Sequence, residues 1–216
     1  MTTAAMRIES IKPSQRKKGR ILVVLEDQTI LRVTEETVLR FGLTKGMDLS
    51  DDMREEVERT AASAGVRSSA AHMVGRRALS KEELRGKLMR KGASEEAARE
   101  AADWLEDIGA IDDAGYAAMV VRHCGDRGYG PARAREELRR RGIDRELWED
   151  ALAELPAAEE AIAAFLRKKA KDLSDPREVK RLTDALLRRG FCWGDVRDAM
   201  SRYTEEIWEE EPHGAE

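Results

Sequence analysis

The chain has 216 residues, of which 41% are hydrophobic and 38% are charged, a composition too polar for one thick globular core. No apolar run approaches the roughly 18 residues that cross a bilayer, so no membrane partner is expected. The formal net charge is −4, but residues 204–216 hold six glutamates and no basic residue, so the remainder is nearly neutral and a strongly basic nucleic-acid-binding domain is disfavoured.

The N-terminus lacks the apolar stretch of a signal peptide, so we expect a cytoplasmic protein. Cys124 and Cys192 are far apart and lie in no metal-ligand spacing, which argues against a disulfide and a metal site. His72, His123 and His213 are each isolated, and no nucleotide loop, nucleophile elbow or zinc-protease motif occurs. We therefore expect no enzyme, no catalytic residue, no cofactor and no metal.

The first 50 residues have a pattern typical of β-strands. Strands are expected at residues 7–11, 20–25 and 29–33. Residues 26–28 between the last two predict a tight turn, and residues 15–20 an exposed loop. Thr34 can cap a short helix that runs through Arg40 and stops at Gly42. Such a small β-meander is barely stable alone and must pack on another element.

From Asp51 onward the spacing of apolar residues becomes typical of α-helices. Residues 51–64 predict one helix that Gly65 ends, and a second helix is expected over residues 68–77.

An internal repeat then dominates the chain. Residues 83–92, 133–142 and 181–190 each end a helical pattern in a glycine, and the glycines are 50 and 48 residues apart. Apolar or aromatic residues recur at fixed offsets from these glycines. They are Leu84, Ala134 and Leu182 at −8, Leu88, Leu138 and Leu186 at −4, Ala93, Ile143 and Phe191 at +1, Ala102, Leu152 and Met200 at +10, and Leu105, Leu155 and Tyr203 at +13. These offsets fall on single helix faces and predict equivalent helical repeats.

Capping residues support the same boundaries. Ser80 with Glu83 predicts a capping box, and Pro131 and Pro176 suit the first turn of the two equivalent helices. The N-caps predicted for the helices after the glycines are Ser94, Asp144 and Cys192. Because cysteine is a poor cap, we expect the third repeat to be the least regular.

These patterns predict a mainly α-helical fold in which a meander and a connecting helix precede three tandem repeats of three helices each, nine repeat helices in all. No repeat could bury its apolar faces alone, so we predict that neighbours stack into an elongated, curved solenoid. The predicted organisation is a β-meander or hairpin with a short helix at 1–50, a connecting helix at 51–66, three-helix repeats at 67–111, 112–155 and 156–208, and an acidic tail at 209–216.

Basic residues recur immediately before each glycine and crowd the middle repeat. The candidate partner-contact residues are Arg90, Lys91, Arg133, Arg135, Arg139, Arg140, Arg141, Arg188 and Arg189. Two interpretations stay open. Cations at a helix C-terminus complement the macrodipole by roughly 0.3–1 kcal/mol and need no partner. Alternatively, repeated cations form a stripe that meets an anionic partner.

Two stretches resemble the RecX family of regulatory proteins. Arg77-Ala-Leu-Ser-Lys-Glu-Glu-Leu-Arg-Gly-Lys-Leu-Met-Arg-Lys-Gly92 is similar to the opening signature of that family. Residues 105–118, followed by Gly130-Pro131 and residues 137–143, are similar to its second signature, with Tyr116 where Phe is usual. The likeness covers about residues 70–155, and the meander resembles that of only part of the family.

The resemblance implies a regulator of RecA, the recombinase that polymerises on single-stranded DNA and hydrolyses ATP. Family members bind the RecA filament along its groove and restrain ATP hydrolysis and strand exchange, with roles in DNA repair, recombination and the SOS response. We expect a monomer that binds the filament, touches DNA weakly if at all, and uses its acidic tail to limit loose DNA binding. A direct DNA-binding protein and a generic helical adaptor remain the alternatives.

Overall fold

The computed structural model describes residues 5–15 and 19–210, with side chains through residue 205. Within them, the chain forms two compact units. The first comprises Met1–Arg77 and Leu84–Ala110, and the second comprises Ala78–Glu83 and Ile111–Glu216. The predicted fold class, mainly helical with an N-terminal antiparallel sheet, is confirmed.

The first unit opens with a four-stranded antiparallel sheet. Its strands are β1 (Met6–Pro13), β2 (Arg20–Leu25), β3 (Ile30–Thr34) and β4 (Asp48–Leu49), in the order β3-β2-β1-β4. The turn predicted between β2 and β3 is confirmed, with Gln28 at φ 66°. β4 was not predicted, because a strand of two residues is too short to show an alternating pattern of apolar and polar residues. Residues 16–18 of the predicted loop lie outside the described residues.

A short helix and a long one complete the support of the sheet. α1 (Glu35–Phe41) is capped by the Thr34 hydroxyl, which accepts from the Thr37 N–H at 3.2 Å, and it ends at Gly42 with φ 57°, as predicted. α2 (Asp51–Val74) contributes Val57 and Ala61 to the buried core of the sheet. The expectation that the meander must pack on another element is therefore confirmed.

The predicted helix break at Gly65 is wrong. α2 runs without interruption through Gly65, so the separate helices expected over residues 51–64 and 68–77 are one. Gly65 keeps an ordinary helical φ, and a glycine inside a helix costs only about 1 kcal/mol relative to alanine. Buried side chains on both sides of it, Val57 and Ala70, offset that cost by packing.

The remaining helices follow in both units. They are α3 (Lys81–Arg90), α4 (Glu95–Asp107), α5 (Asp113–Asp126), α6 (Pro131–Arg140), α7 (Trp148–Leu152), α8 (Ala158–Lys169), α9 (Pro176–Arg188) and α10 (Trp193–Glu210). With α2, the described residues from 51 to 210 thus contain nine α-helices, one fewer than the connecting helix and the nine repeat helices predicted, because α2 merges two of them. The solenoid shape and the repeat boundaries stay predictions. Of the expected acidic tail, residues 209 and 210 belong to α10 and residues 211–216 lie outside the described part.

The three repeated glycines end their helices in the same way. Gly92, Gly142 and Gly190 have φ of 93°, 66° and 90°, the left-handed conformation that glycine adopts without steric cost. In each case the N–H at offset +1 donates to the carbonyl at −4, at 3.1 to 3.3 Å, which is the Schellman motif. This motif places the +1 and −4 side chains together, so it explains why both positions are apolar. All six residues at −8 and −4 are at most 1% exposed, as the repeat predicts.

The expectation that the third repeat is the least regular is wrong. The irregular helix belongs to the second repeat, where a 3-10 turn (Arg145–Leu147) precedes the five residues of α7. The Leu147 N–H donates to the Asp144 carbonyl, three residues earlier, and so forms the 3-10 turn. This turn forms although Asp144 is a good cap. By contrast, the Cys192 Sγ accepts from the Asp195 N–H at 3.3 Å and α10 runs for 18 residues. The capping residue therefore did not determine regularity.

Candidate partner-binding site

Helix ends meet helix starts inside the second unit. The Gly130 N–H donates to the Arg189 carbonyl at 2.8 Å, and the Ala132 N–H donates to the Gly190 carbonyl at 3.1 Å. The first N–H groups and last carbonyls of a helix have no partner within that helix. The end of α9 and the start of α6 therefore satisfy each other. We call this contact the Gly130 junction.

An equivalent contact joins the end of α6 to residues 78–83, which belong to the same unit. The Ser80 hydroxyl donates to the Arg141 carbonyl. Ser80 precedes Gly92 by 12 residues, and Gly130 precedes Gly142 by the same number. We call this contact the Ser80 junction. The repeat in the sequence is thus also a repeat of backbone geometry.

Arg141 lies within the Ser80 junction. Its guanidinium donates to the Tyr116 hydroxyl at 2.5 Å and lies 5.5 Å from the centre of that ring. The Tyr116 hydroxyl donates to the Glu83 carboxylate at 2.9 Å. Burial, followed by the bond to Glu83 and the charge of that carboxylate, raises the pKa of Tyr116. The Ser80–Glu83 capping box is present, since the Glu83 N–H donates to Ser80 Oγ at 3.0 Å. Arg141 therefore stabilises the fold from within.

Arg189 has an equally internal role beside the Gly130 junction. Its guanidinium donates to the carbonyls of Arg127 and Gly128 at 2.8 and 3.2 Å, at the C-terminal end of α5. It also lies 5.0 Å from the centre of the Phe165 ring, within reach of a cation–π interaction. The side chain joins α5, α8 and α9, so it is not free to contact a partner.

Two further candidates are held by acidic neighbours. Arg133 pairs with Glu136 at 2.6 Å, and Arg140 pairs with Glu137 at 2.6 Å. The hydrogen bond that Arg140 donates to the Glu137 carboxylate, followed by the negative charge of that carboxylate, raises the pKa of Arg140. At least one side chain of each pair is exposed, so each ion pair contributes little to the stability of the fold. Their charge is partly neutralised before any partner arrives.

Five candidates remain exposed and unpaired. Across residues 5–15 and 19–205, no ion pair or side-chain hydrogen bond involves them, and each is exposed. They are Arg90, Lys91, Arg135, Arg139 and Arg188. The structure therefore separates residues that the sequence grouped together. The position directly before the glycine is internal in the second and third repeats, while Arg139 and Arg188 stay available to a partner.

Sequence reasoning missed the two polar side chains that build the Ser80 junction. The sequence predicts Ser80 only as a cap, yet its hydroxyl also donates to the carbonyl of Arg141, 61 residues away. The sequence marks Tyr116 only as a departure from phenylalanine, yet its hydroxyl bridges Glu83 and Arg141. The tyrosine at that position was the available signal.

Neither a metal site nor a membrane helix is found in the described part of the chain. No group of three or more potential ligands comes together there. None of its helices has the length and apolar character needed to cross a bilayer.

Comparisons with known proteins agree with one another. The family model of the second three-helix domain of RecX matches residues 112–152. The regulatory protein RecX of Lactobacillus delbrueckii subsp. bulgaricus is 31% identical over 197 residues, covering 88% of this chain and 72% of that protein. The regulatory protein RecX of Pseudomonas putida is 37% identical over 129 residues, covering 58% of this chain and 83% of that protein.

Two solved structures share the fold. The crystal structure of a regulatory protein RecX has a TM-score of 0.68 at 22% identity and covers 89% of this chain and 99% of that chain. The crystal structure of RecX from Lactobacillus salivarius has a TM-score of 0.59 at 21% identity, over 66% of this chain and 97% of that chain. Taken with the sequence identity to full-length relatives, these matches show that the chain belongs to the RecX family of regulatory proteins.

Proposed function

We propose that this protein binds the RecA–DNA filament along its groove and mainly inhibits RecA. Inhibition would extend to ATP hydrolysis, recombination and strand exchange, and so to DNA repair and the SOS response in the cytoplasm. Family membership supports the regulatory role. One observation supports the assignment of a surface: Arg135 and Arg139 on α6 are exposed and form no ion pair with any side chain that the structure describes.

The chemistry of these residues suits a partner with negative charge. A guanidinium that has no partner within its own protein can form a bidentate pair with a carboxylate or a phosphate. Complementary charge also accelerates association, which helps a regulator to compete for a filament that is already assembled. Arg133 and Arg140, on the same helix, are already paired with glutamates and would contribute less.

The proposal is tested by RecA ATPase measurements on single-stranded DNA. The wild type should inhibit at less than one molecule per RecA subunit, and the double variant Arg135→Glu/Arg139→Glu should lose at least about five-fold in potency. Far-UV circular dichroism should be unchanged, since both side chains are exposed. Wild-type protein that leaves the ATPase unaffected would contradict the proposed function.

A matched control has the same charge change on another helix of the same unit. Arg167 and Lys168 are exposed in the last turn of α8. Arg167→Glu/Lys168→Glu should inhibit like the wild type. If both double variants lose potency equally, the effect is one of net charge and the α6 surface is the wrong assignment.

The same arginines would suit DNA phosphates, so direct DNA binding is the second candidate function. A protein that neutralises several phosphates loses affinity steeply as salt rises. Binding to single-stranded DNA without RecA should therefore be weak, with a shallow salt dependence. A steep dependence that disappears in Arg135→Glu/Arg139→Glu would favour the direct DNA-binding function.

A further inference from the structure

Two surface positions change chemistry between the repeats. Position −3 from the repeated glycine is Met89, Arg139 and Leu187, and position +3 is Glu95, Arg145 and Trp193. In the third repeat both are large and apolar. Leu187 is 38% exposed and Trp193 is 59% exposed.

The fold of the repeat does not require a large apolar residue at position +3. The first two repeats form the same Schellman-ended helix with Glu95 and Arg145 at the position of Trp193. Trp193 is also the first residue of α10, where an acidic side chain such as Glu95 in α4 would interact better with the helix dipole. An exposed tryptophan that packing does not explain indicates a contact with another molecule.

A cavity lies beside these two side chains. Its volume is about 580 Å³, and its apolar lining comprises Leu173, Pro176, Val179, Leu187 and Trp193. Lys180 and Asp184 also line it, one charge of each sign. Since the two charges balance, the cavity itself suits an uncharged side chain. We call Leu187, Trp193 and this cavity the Trp193 surface.

Positively charged residues lie on α9 next to Leu187 and on α6, which begins at the other side of the Gly130 junction. Arg188, next to Leu187, is exposed and unpaired within the described residues. The Gly130 junction joins the end of α9 to the start of α6, where Arg135 and Arg139 follow. A partner segment that fits both regions carries an apolar anchor and acidic residues beside it.

A second copy of this chain fits poorly. A symmetric dimer through this face would bring the same basic residues of both copies, Arg135, Arg139 and Arg188, into one interface, which like-charge repulsion disfavours.

We propose that the Trp193 surface binds an apolar side chain that RecA presents next to acidic residues. The identity of the partner rests on the proposed function, while the apolar anchor does not follow from it. Trp193 and its cavity would provide most of the affinity, since buried aromatic anchors dominate interfaces. Arg135, Arg139 and Arg188 would orient the acidic residues.

The test separates apolar contact from charge. Trp193→Arg places at this position the residue type that the second repeat carries there, and it adds a charge that an acidic partner would favour. Equilibrium binding of fluorescently labelled protein to RecA filaments on single-stranded DNA should nevertheless weaken at least ten-fold. Trp193→Phe, which keeps an aromatic anchor, should stay within about two-fold of the wild type.

The control is Leu39→Arg, which replaces an apolar side chain that is 76% exposed on α1 in the first unit. Its binding should equal that of the wild type. Wild-type affinity in Trp193→Arg overturns the inference and leaves the proposed function intact, whereas absence of wild-type binding overturns both. Self-association of the wild type that Trp193→Arg abolishes would assign the surface to a second copy and also overturn the inference.

A second readout covers the case in which Trp193→Arg folds poorly. On binding, the emission of the wild type should shift to shorter wavelength as Trp193 leaves water. Trp193→Phe should bind without that shift, once the emission of the filament is subtracted. An equal shift in both proteins would show that Trp193 stays in water and would overturn the inference.

Discussion

The Ser80 and Gly130 junctions bring equivalent backbone positions together with different chemistry. In the Ser80 junction a hydroxyl donates to the carbonyl of Arg141, while in the Gly130 junction a backbone N–H donates to the carbonyl of Arg189. A Cβ on Gly130 would lie 2.6 Å from the Gly190 carbonyl oxygen, so this approach needs a glycine. At the equivalent position, the side chain of Ser80 itself makes the contact with the Arg141 carbonyl.

The arginine at each junction differs in the same way. Arg141 contacts a tyrosine hydroxyl, whereas Arg189 contacts two carbonyls and a phenylalanine ring. A recurring arginine in the sequence thus marked a recurring place in the fold, not a recurring partner contact.

Gly190→Ala should destabilise the protein most, by about 3 kcal/mol. The left-handed conformation costs alanine about 1–2 kcal/mol, and the new Cβ would lie 2.8 Å from the Cβ of Arg133, which overpacks the Gly130 junction. Urea denaturation measures the loss. Gly92→Ala is the control, since Gly92 has the same sign of φ and no atom within 4 Å of a new Cβ, so it should lose only about 1 kcal/mol. Equal losses would show that the junction adds nothing.

Arg189→Ala should lower the free energy of unfolding by about 2 kcal/mol, because two carbonyls lose a charged donor and Phe165 loses its cation. Arg188→Ala, one residue earlier and exposed, should change it by less than about 0.5 kcal/mol. Thermal and urea unfolding of the two variants provide the comparison. A loss in Arg188→Ala as large as that in Arg189→Ala would contradict the internal role of Arg189.

Tyr116→Phe should cost about 1 kcal/mol at neutral pH, because the bridge between Glu83 and Arg141 is lost. The raised pKa of Tyr116 adds a pH dependence. The unfolded tyrosine ionises near pH 10 while the folded one keeps its proton, so the wild type loses stability as the pH rises above about 10. Unfolding in urea at pH 7 and near pH 11 should therefore show a smaller difference between wild type and Tyr116→Phe at the higher pH. A constant difference would exclude ionisation of Tyr116 as the cause.

Cys192→Ser should stabilise the protein slightly, by about 0.5 kcal/mol. Cys192 Sγ accepts from the Asp195 N–H, and a serine oxygen is the better N-cap acceptor, as Ser94 shows for α4. The melting temperature under reducing conditions would register the gain. A lower melting temperature would mean that Cys192 contributes through packing.

The periodic features of this fold were predictable from the sequence because they depend on local chemistry. The apolar offsets, the three left-handed glycines and the caps at Ser80, Ser94 and Asp144 each involve residues within one or two helical turns. The same local reasoning failed at Gly65, since packing of α2 outweighs the weak helix propensity of one glycine.

The candidate site was less predictable because its contacts span long sequence distances. The sequence shows that Arg141 and Arg189 are basic but not that Tyr116 and the end of α5 face them. Nor does the sequence show that, among the described side chains, Arg133 and Arg140 have an acidic partner while Arg135 and Arg139 have none. Only tertiary structure separates these two groups of arginines.

The Gly130 junction has a consequence for folding cooperativity. The N–H groups of Gly130 and Ala132 bond to carbonyls at the end of α9, so loss of structure in the third repeat would expose them to solvent. Amide hydrogen exchange at these two residues should then report the opening of the third repeat, although they belong to the second. Amide exchange of residues in one repeat would thus detect a local opening of the neighbouring repeat.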